Sequence, residues 1–133
     1  MAAPVYNPVV VREFDRAGYP GRDYRTEPGT PIRATLAGVV VQVEDRRVVV
    51  ESNAIWHLYD HLSEPTVSQG ETVETGDLLG LAAGDHLHYE ERVAPYGVGD
   101  QRGPQFDLHT NARMRKVAQG GSVVEGATEP SGA

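Results

Sequence analysis

The sequence predicts an all-β domain made of many short antiparallel strands, and three observations carry that expectation. With 15 Gly and 9 Pro in 133 residues, the chain is punctuated too often for long helices. The β-branched runs "TPIRATLAGVVVQVE" and "RRVVVES" flank Glu44, Asp45 and Arg46, which read as a hairpin turn. The stretch "HLHYEERV", starting at His86, alternates with the period of a strand.

Each further segment follows the same texture. Residues 1–17 read as an extended N-terminal arm, with Pro4 and Pro8 breaking its start and Val9, Val10 and Val11 able to pair as an edge strand. The β core is expected over residues 18–94. Within it "IWHLYDHLS" reads as a strand, and "GETVETGDLLGLA" as short strands set off by Gly70, Gly76 and Gly80. Residues 95–133 are expected to hold a loop, "PYGVGDQRGPQ", then a short helix capped by Thr110 or Asn111, then a flexible tail.

Charge and composition exclude several function classes. A net charge of -7 disfavours nucleic acid and anionic membrane surfaces, both of which need a basic face. No run approaches the ~20 apolar residues of a membrane span, so no membrane insertion is expected. The first residues show no charged, apolar leader, so no signal peptide is read and synthesis in the cytoplasm is the expectation. With no cysteine, any metal must be held by His, Asp, Glu or a phenolate.

Side chains at i and i+2 share one face of a strand. His86 and His88 therefore point the same way, with Leu87 toward a core. In "WHLYDHLS" the same rule puts His57, Tyr59 and His61 on one face and Trp56, Leu58 and Leu62 on the other. Two such strands could converge on one cation, with a carboxylate such as Asp23 completing a zinc site. Asp85, Glu90 and Glu91 read as solvated charges.

In order along the chain, "YPGRDYRTEPGTPIRATLAGVVV", "LYDHLS", "VSQGETVETGDLLGLA" and "HLHYEER" resemble the lysostaphin-type (LytM-like) peptidoglycan endopeptidases. The match spans roughly residues 18–92 and rests on four ordered motifs. The resemblance implies a small antiparallel β-roll with a groove across one sheet. It also implies Asp23 and His88 as zinc ligands, and His61 and His86 as the catalytic histidines beside the metal. The implied substrate is a cross-bridge or stem peptide of bacterial cell wall.

Two departures qualify that inheritance. The family's first ligand is a histidine, and Tyr19 stands at its place in "GYPGRD". Catalytic zinc usually has three protein ligands, so zinc is expected to be absent or weakly held unless Tyr19, His57 or His109 supplies a third donor. The loop before "HLH" is also short, and Asp85 replaces the family's usual proline there.

The expected function is a degenerate peptidase domain that binds cell-wall peptide or assembles with other subunits, as in a bacteriophage tail or virion. The alternative is an active zinc endopeptidase with an altered ligand set. A lipoyl- or biotin-carrier role is disfavoured because the only lysine is Lys116, far from the carrier-like turn.

Overall fold

The computed structural model describes residues 1–106, so the expected helix, the tail and His109 lie outside the described residues. Its strands run in chain order as β1 (Val10–Arg12), β2 (Arg22–Arg25), β3 (Pro31–Arg33), β4 (Gly38–Glu44), β5 (Arg47–Ser52) and β6 (Ile55–Asp60). They continue as β7 (Leu62–Pro65), β8 (Thr72–Val73), β9 (Leu78–Ala82), β10 (His86–Val93) and β11 (Gln101–Arg102). No helix occurs among the described residues, in agreement with the all-β expectation.

Two sheets are formed. The larger has eight strands in the order β1-β2-β10-β6-β5-β4-β8, with β11 pairing β10 beside β2. The smaller is β3-β9-β7. All pairings are antiparallel. The hairpin expected at Glu44–Arg46 joins β4 to β5, with Asp45 at φ 50° in the turn. Gly70 and Gly76 take positive φ in turns, while Gly80 lies within β9.

Both sheets contribute to one core. Tyr24, Val40, Val48, Val50, Tyr59, Leu87 and Tyr89 come from the large sheet, and Ile32, Leu62 and Leu79 from the small one. Burying these side chains contributes about 1.5–3 kcal/mol for each large aliphatic residue.

The N-terminal stretch is built into this body. The edge strand expected at Val9 to Val11 is present as β1, and Val5 is buried in the core. Arg33 N–H donates to the Pro4 carbonyl and Arg25 N–H to that of Val9, both at 2.8 Å. Residues 3–104 form one compact unit, wider than the expected core of 18–94. The 95–105 segment, expected as a loop alone, carries β11.

The faces of β6 differ from the alternation reading. His57 and Tyr59 point into the core beside Tyr89, not outward with His61. His88 pairs with Asp60 across the ladder, three residues from His57, and so lies on the other face. The alternation fails at His61 because that residue takes a left-handed φ of 72° between β6 and β7. Its ring is thereby turned back toward β10.

Candidate functional site

The site lies on the outer face of the large sheet, where β2 and β10 run side by side. Their register sets His88 opposite Asp23, and His88 Nδ1 lies 2.7 Å from Asp23 Oδ1. Gly21 makes this pairing possible. A Cβ there would run into the Tyr89 carbonyl oxygen, Glu90 Cγ and His88 Cε1, so only glycine lets the chain enter β2 this close.

Tyr19 is delivered by a tight turn just upstream. Gly18 N–H and Tyr19 N–H donate to the Asp15 carbonyl, and Asp15 N–H returns a bond to the Tyr19 carbonyl at 3.0 Å. The Tyr19 hydroxyl then donates to Asp23 Oδ2 at 2.6 Å and lies 3.2 Å from His88 Nδ1. Its ring meets that of His88 edge-on, and the Arg12 guanidinium stacks over its other face at 3.7 Å. Burial, reinforced by the Asp23 carboxylate, pushes the phenol pKa up to about 12.

Glu90 closes the other side of His88. Its Oε2 lies 2.8 Å from His88 Nε2, while Arg92 Nε donates to its Oε1 at 2.8 Å. Burial alone would raise the Glu90 pKa, but the bonds from His88 and Arg92 overcome it and hold the group down at about 2. Burial likewise disfavours a protonated His88, yet its bonds to Glu90 and Asp23 raise its pKa on balance.

Glu90 and Glu91, expected to be solvated, are both buried. Strand β10 lies inside the sheet between β2 and β6, and both carboxylates are held by cationic or imidazole partners there, Glu90 by His88 and Arg92 and Glu91 by Arg102. A signal for Glu90 did exist in the sequence, because H-x-H-x-E puts the carboxylate on the face of both histidines. Asp85, by contrast, is exposed as expected, and lies 2.9 Å from His86 Nδ1.

The remaining imidazoles gather beside this cluster. The rings of His61 and His86 meet edge-on with centroids 4.7 Å apart, and His61 stands 6.3 Å from His88. His61 is exposed and His86 half-buried, so this end of the site is open. The His61 pKa is lowered, first by burial and then by the neighbouring His86 and His88, against the pull of Asp60. Tyr19, Asp23, His61, His86 and His88 are thus brought together, whereas His57 and Tyr59 are not.

The zinc ion implied by the resemblance can be tested against these donors. Asp23 and His88 supply two, and the third group on the same spot is a phenol that holds its proton firmly. His57 lies behind the sheet, and among the described residues no group of three His, Cys, Asp or Glu is placed to hold a metal. This donor set does not fit a three-ligand zinc site. What the cluster does offer is a hydrogen-bonded carboxylate–imidazole–carboxylate chain beside two accessible imidazoles.

Comparison with known proteins agrees with the all-β fold. The model of peptidase family M23 matches residues 17–104. The DD-carboxypeptidase/endopeptidase Mpg of Neisseria meningitidis is 34% identical over 86 residues, covering 55% of this chain and 20% of that protein. The chain therefore spans about a fifth of the length of the curated relatives it matches. The catalytic domain of the prophage-encoded M23 protein EnpA from Enterococcus faecalis superposes with a TM-score of 0.66 at 25% identity, covering 80% of this chain and 97% of that one. A zinc-containing peptidase from Vibrio cholerae gives 0.65 at 25% identity, covering 77% and 40%. The family model covers most of the chain, and the chain belongs to peptidase family M23.

Proposed function

We propose that this M23 domain acts as a binding module for cell-wall peptide in which zinc-dependent cleavage is lost or impaired. The observation that carries this reading is the Tyr19 hydroxyl, which sits between Asp23 Oδ2 at 2.6 Å and His88 Nδ1 at 3.2 Å. Tyr19 stands at the place of the family's first ligand histidine and satisfies the two groups that would otherwise face a metal. M23 domains act on peptidoglycan, and the open His61–His86 end leaves room for a peptide to lie against the sheet.

An active endopeptidase with Tyr19 in its ligand set is the second reading. It draws on the same convergence of a phenol, a carboxylate and an imidazole on one point. It requires the phenol proton to leave, which a bound cation favours and the surrounding carboxylates oppose.

Metal analysis after dialysis against zinc tests both readings, on wild type, Tyr19→His and His88→Ala, alongside co-sedimentation with purified peptidoglycan. The expected result is wild type well below one zinc, Tyr19→His near one, and wild type that sediments with peptidoglycan without releasing peptides. Wild type holding about one zinc that His88→Ala loses, with peptides released, overturns the binding-module reading.

A further inference from the structure

At the far end of the outer face, away from the histidines, the rings of Trp56 and Tyr96 lie stacked, with centroids 4.6 Å apart and planes 4° from parallel. Trp56 pairs with Arg92 in the ladder, which places it about 13 Å along β10 from His88. We propose that this stack is a platform for a sugar ring, by which the domain holds the glycan strand of the cell wall. The inference rests on the cell-wall reading above and adds a ligand of a different chemical class from peptide.

The backbone on both sides of the stack is strained into place. Tyr96 takes φ 72° and Ala54, in the β5–β6 turn, φ 63°, and the Tyr96 hydroxyl donates to the Ala54 carbonyl at 3.3 Å. Neither residue is glycine, and left-handed strain of this kind clusters at ligand-binding sites. The loop carrying Tyr96 is closed on itself. Tyr96 N–H donates to the Val93 carbonyl at 2.8 Å, Val93 N–H to that of Asp100 at 2.9 Å, and Gly97 N–H to Asp100 Oδ2 at 2.6 Å. Arg92 Nη1 donates to the Tyr96 carbonyl at 3.2 Å and ties the loop to the sheet. The Trp56 indole N–H is buried without an acceptor among the described residues, so packing rather than a hydrogen bond orients that ring. Both rings are thus set before a ligand arrives, which lowers the entropic cost of binding one.

The surroundings select the ligand. Trp56 and Tyr96 are both half-buried, so the pair keeps an open surface although each ring covers one face of the other. Two rings lying flat suit a flat ring edged with C–H groups, whereas an ammonium group is best enclosed by rings set at an angle. Across the ladder Trp56 is flanked by Glu51 on β5 and Arg92 on β10. The Arg92 guanidinium is engaged by Glu90 and the Tyr96 carbonyl, and its charge opposes a second cation there. Glu51 is half-buried, shares the face of Trp56 as its cross-strand neighbour, and has no ion pair or hydrogen bond among the described residues. Its carboxylate is an acceptor for the hydroxyl and acetamido N–H groups of a sugar. A net charge of -7 disfavours an anionic ligand, which leaves a neutral N-acetylated amino-sugar as the class that fits.

Trp56 is the only tryptophan in the chain, so its fluorescence reports on this place directly. The full chain is titrated with the tetramer of N-acetylglucosamine, with acetylated Gly-Gly-Gly amide as a peptide probe, and with lysine amide as a cationic one. The sugar is expected to shift the emission saturably and the other two to leave it unchanged. Tyr96→Ala should weaken sugar binding about tenfold, and Tyr96→Phe should keep it within about twofold. Glu51→Gln should weaken it about threefold. No emission change with the sugar, or sugar binding of unchanged strength in Tyr96→Ala, overturns the proposal. Equal losses in Tyr96→Phe and Tyr96→Ala also overturn it, since the effect then belongs to the loop and not to the ring. Tighter binding of lysine amide or of the peptide amide overturns the sugar assignment. Wild type that sediments with peptidoglycan yet ignores the sugar fails this inference alone, while wild type that does not sediment fails the binding-module reading.

Discussion

Strands β6 and β10 carry two polar networks on their opposite faces, made of the same residue types. The outer one runs Tyr19, Asp23, His88, Glu90, Arg92. The inner one starts at Thr35 and Tyr59, whose oxygens lie 2.9 Å apart, and passes to the Tyr89 hydroxyl at 3.1 Å from Thr35. Tyr89 then joins His57 Nδ1 at 2.8 Å to Glu91 at 2.6 Å, and Arg102 closes the chain on Glu91 at 2.8 Å. The inner network is sealed, with the His57 and Glu91 side chains 1% and 0% exposed. The outer one opens onto His61 and His86. Histidine, tyrosine and glutamate in register therefore do not by themselves make a site. Access does, because a network whose partners are all internal can only hold the sheet together.

Breaking each network in turn sharpens that contrast. Glu91→Ala leaves Tyr89 and Arg102 without their buried acceptor and should cost about 3–5 kcal/mol in urea unfolding. Glu90→Ala, at the edge of the open network, should cost about 2 kcal/mol. Equal losses in the two variants would mean that the outer network is as architectural as the inner one. Gly21→Ala should cost a similar ~2 kcal/mol by crowding the strand entry, and should also move the His88 imidazole resonances.

A smaller effect separates the two faces by sign. Burial lowers the His57 pKa below its ordinary 6.5, against the pull of Glu91, so the unfolded chain takes up a proton there before the folded one does. Its contribution is present above pH 6.5 and lost as pH falls through the folded value. The His88 pKa is raised, so its contribution is present below pH 6.5 and lost as pH rises through the folded value. Unfolding free energies measured from pH 5 to 8 should lose their acid-side slope in His57→Gln and their alkaline-side slope in His88→Gln. Slopes of one sign in both variants would break the comparison. The smallest change expected is in Arg12→Ala, about 0.5 kcal/mol from the exposed stack on Tyr19, read as a slightly lower thermal midpoint.

Much of the outer face was legible in the sequence. Alternation placed His86 and His88 together, the ordered motifs supplied the family, and the short "GYPGRD" segment brought Tyr19 and Asp23 to the same spot. What escaped has two physical causes. Strand alternation was carried through Asp60 into His61, although the backbone reverses hand at His61 and changes sheets there. The acidic pair Glu90–Glu91 was read by residue type, whereas its burial follows from the position of β10 between neighbours that are distant in sequence.

The left-handed backbone at His61 also decides how that residue can be studied. One position supplies both an imidazole and the corner by which the chain leaves one sheet for the other. Alanine there would remove the ring and resist the corner at once, so a loss of function would have two causes that no assay could separate. Asparagine tolerates a left-handed backbone several-fold better than most residues and carries no imidazole. His61→Asn is thus the substitution that asks about chemistry while leaving the architecture in place.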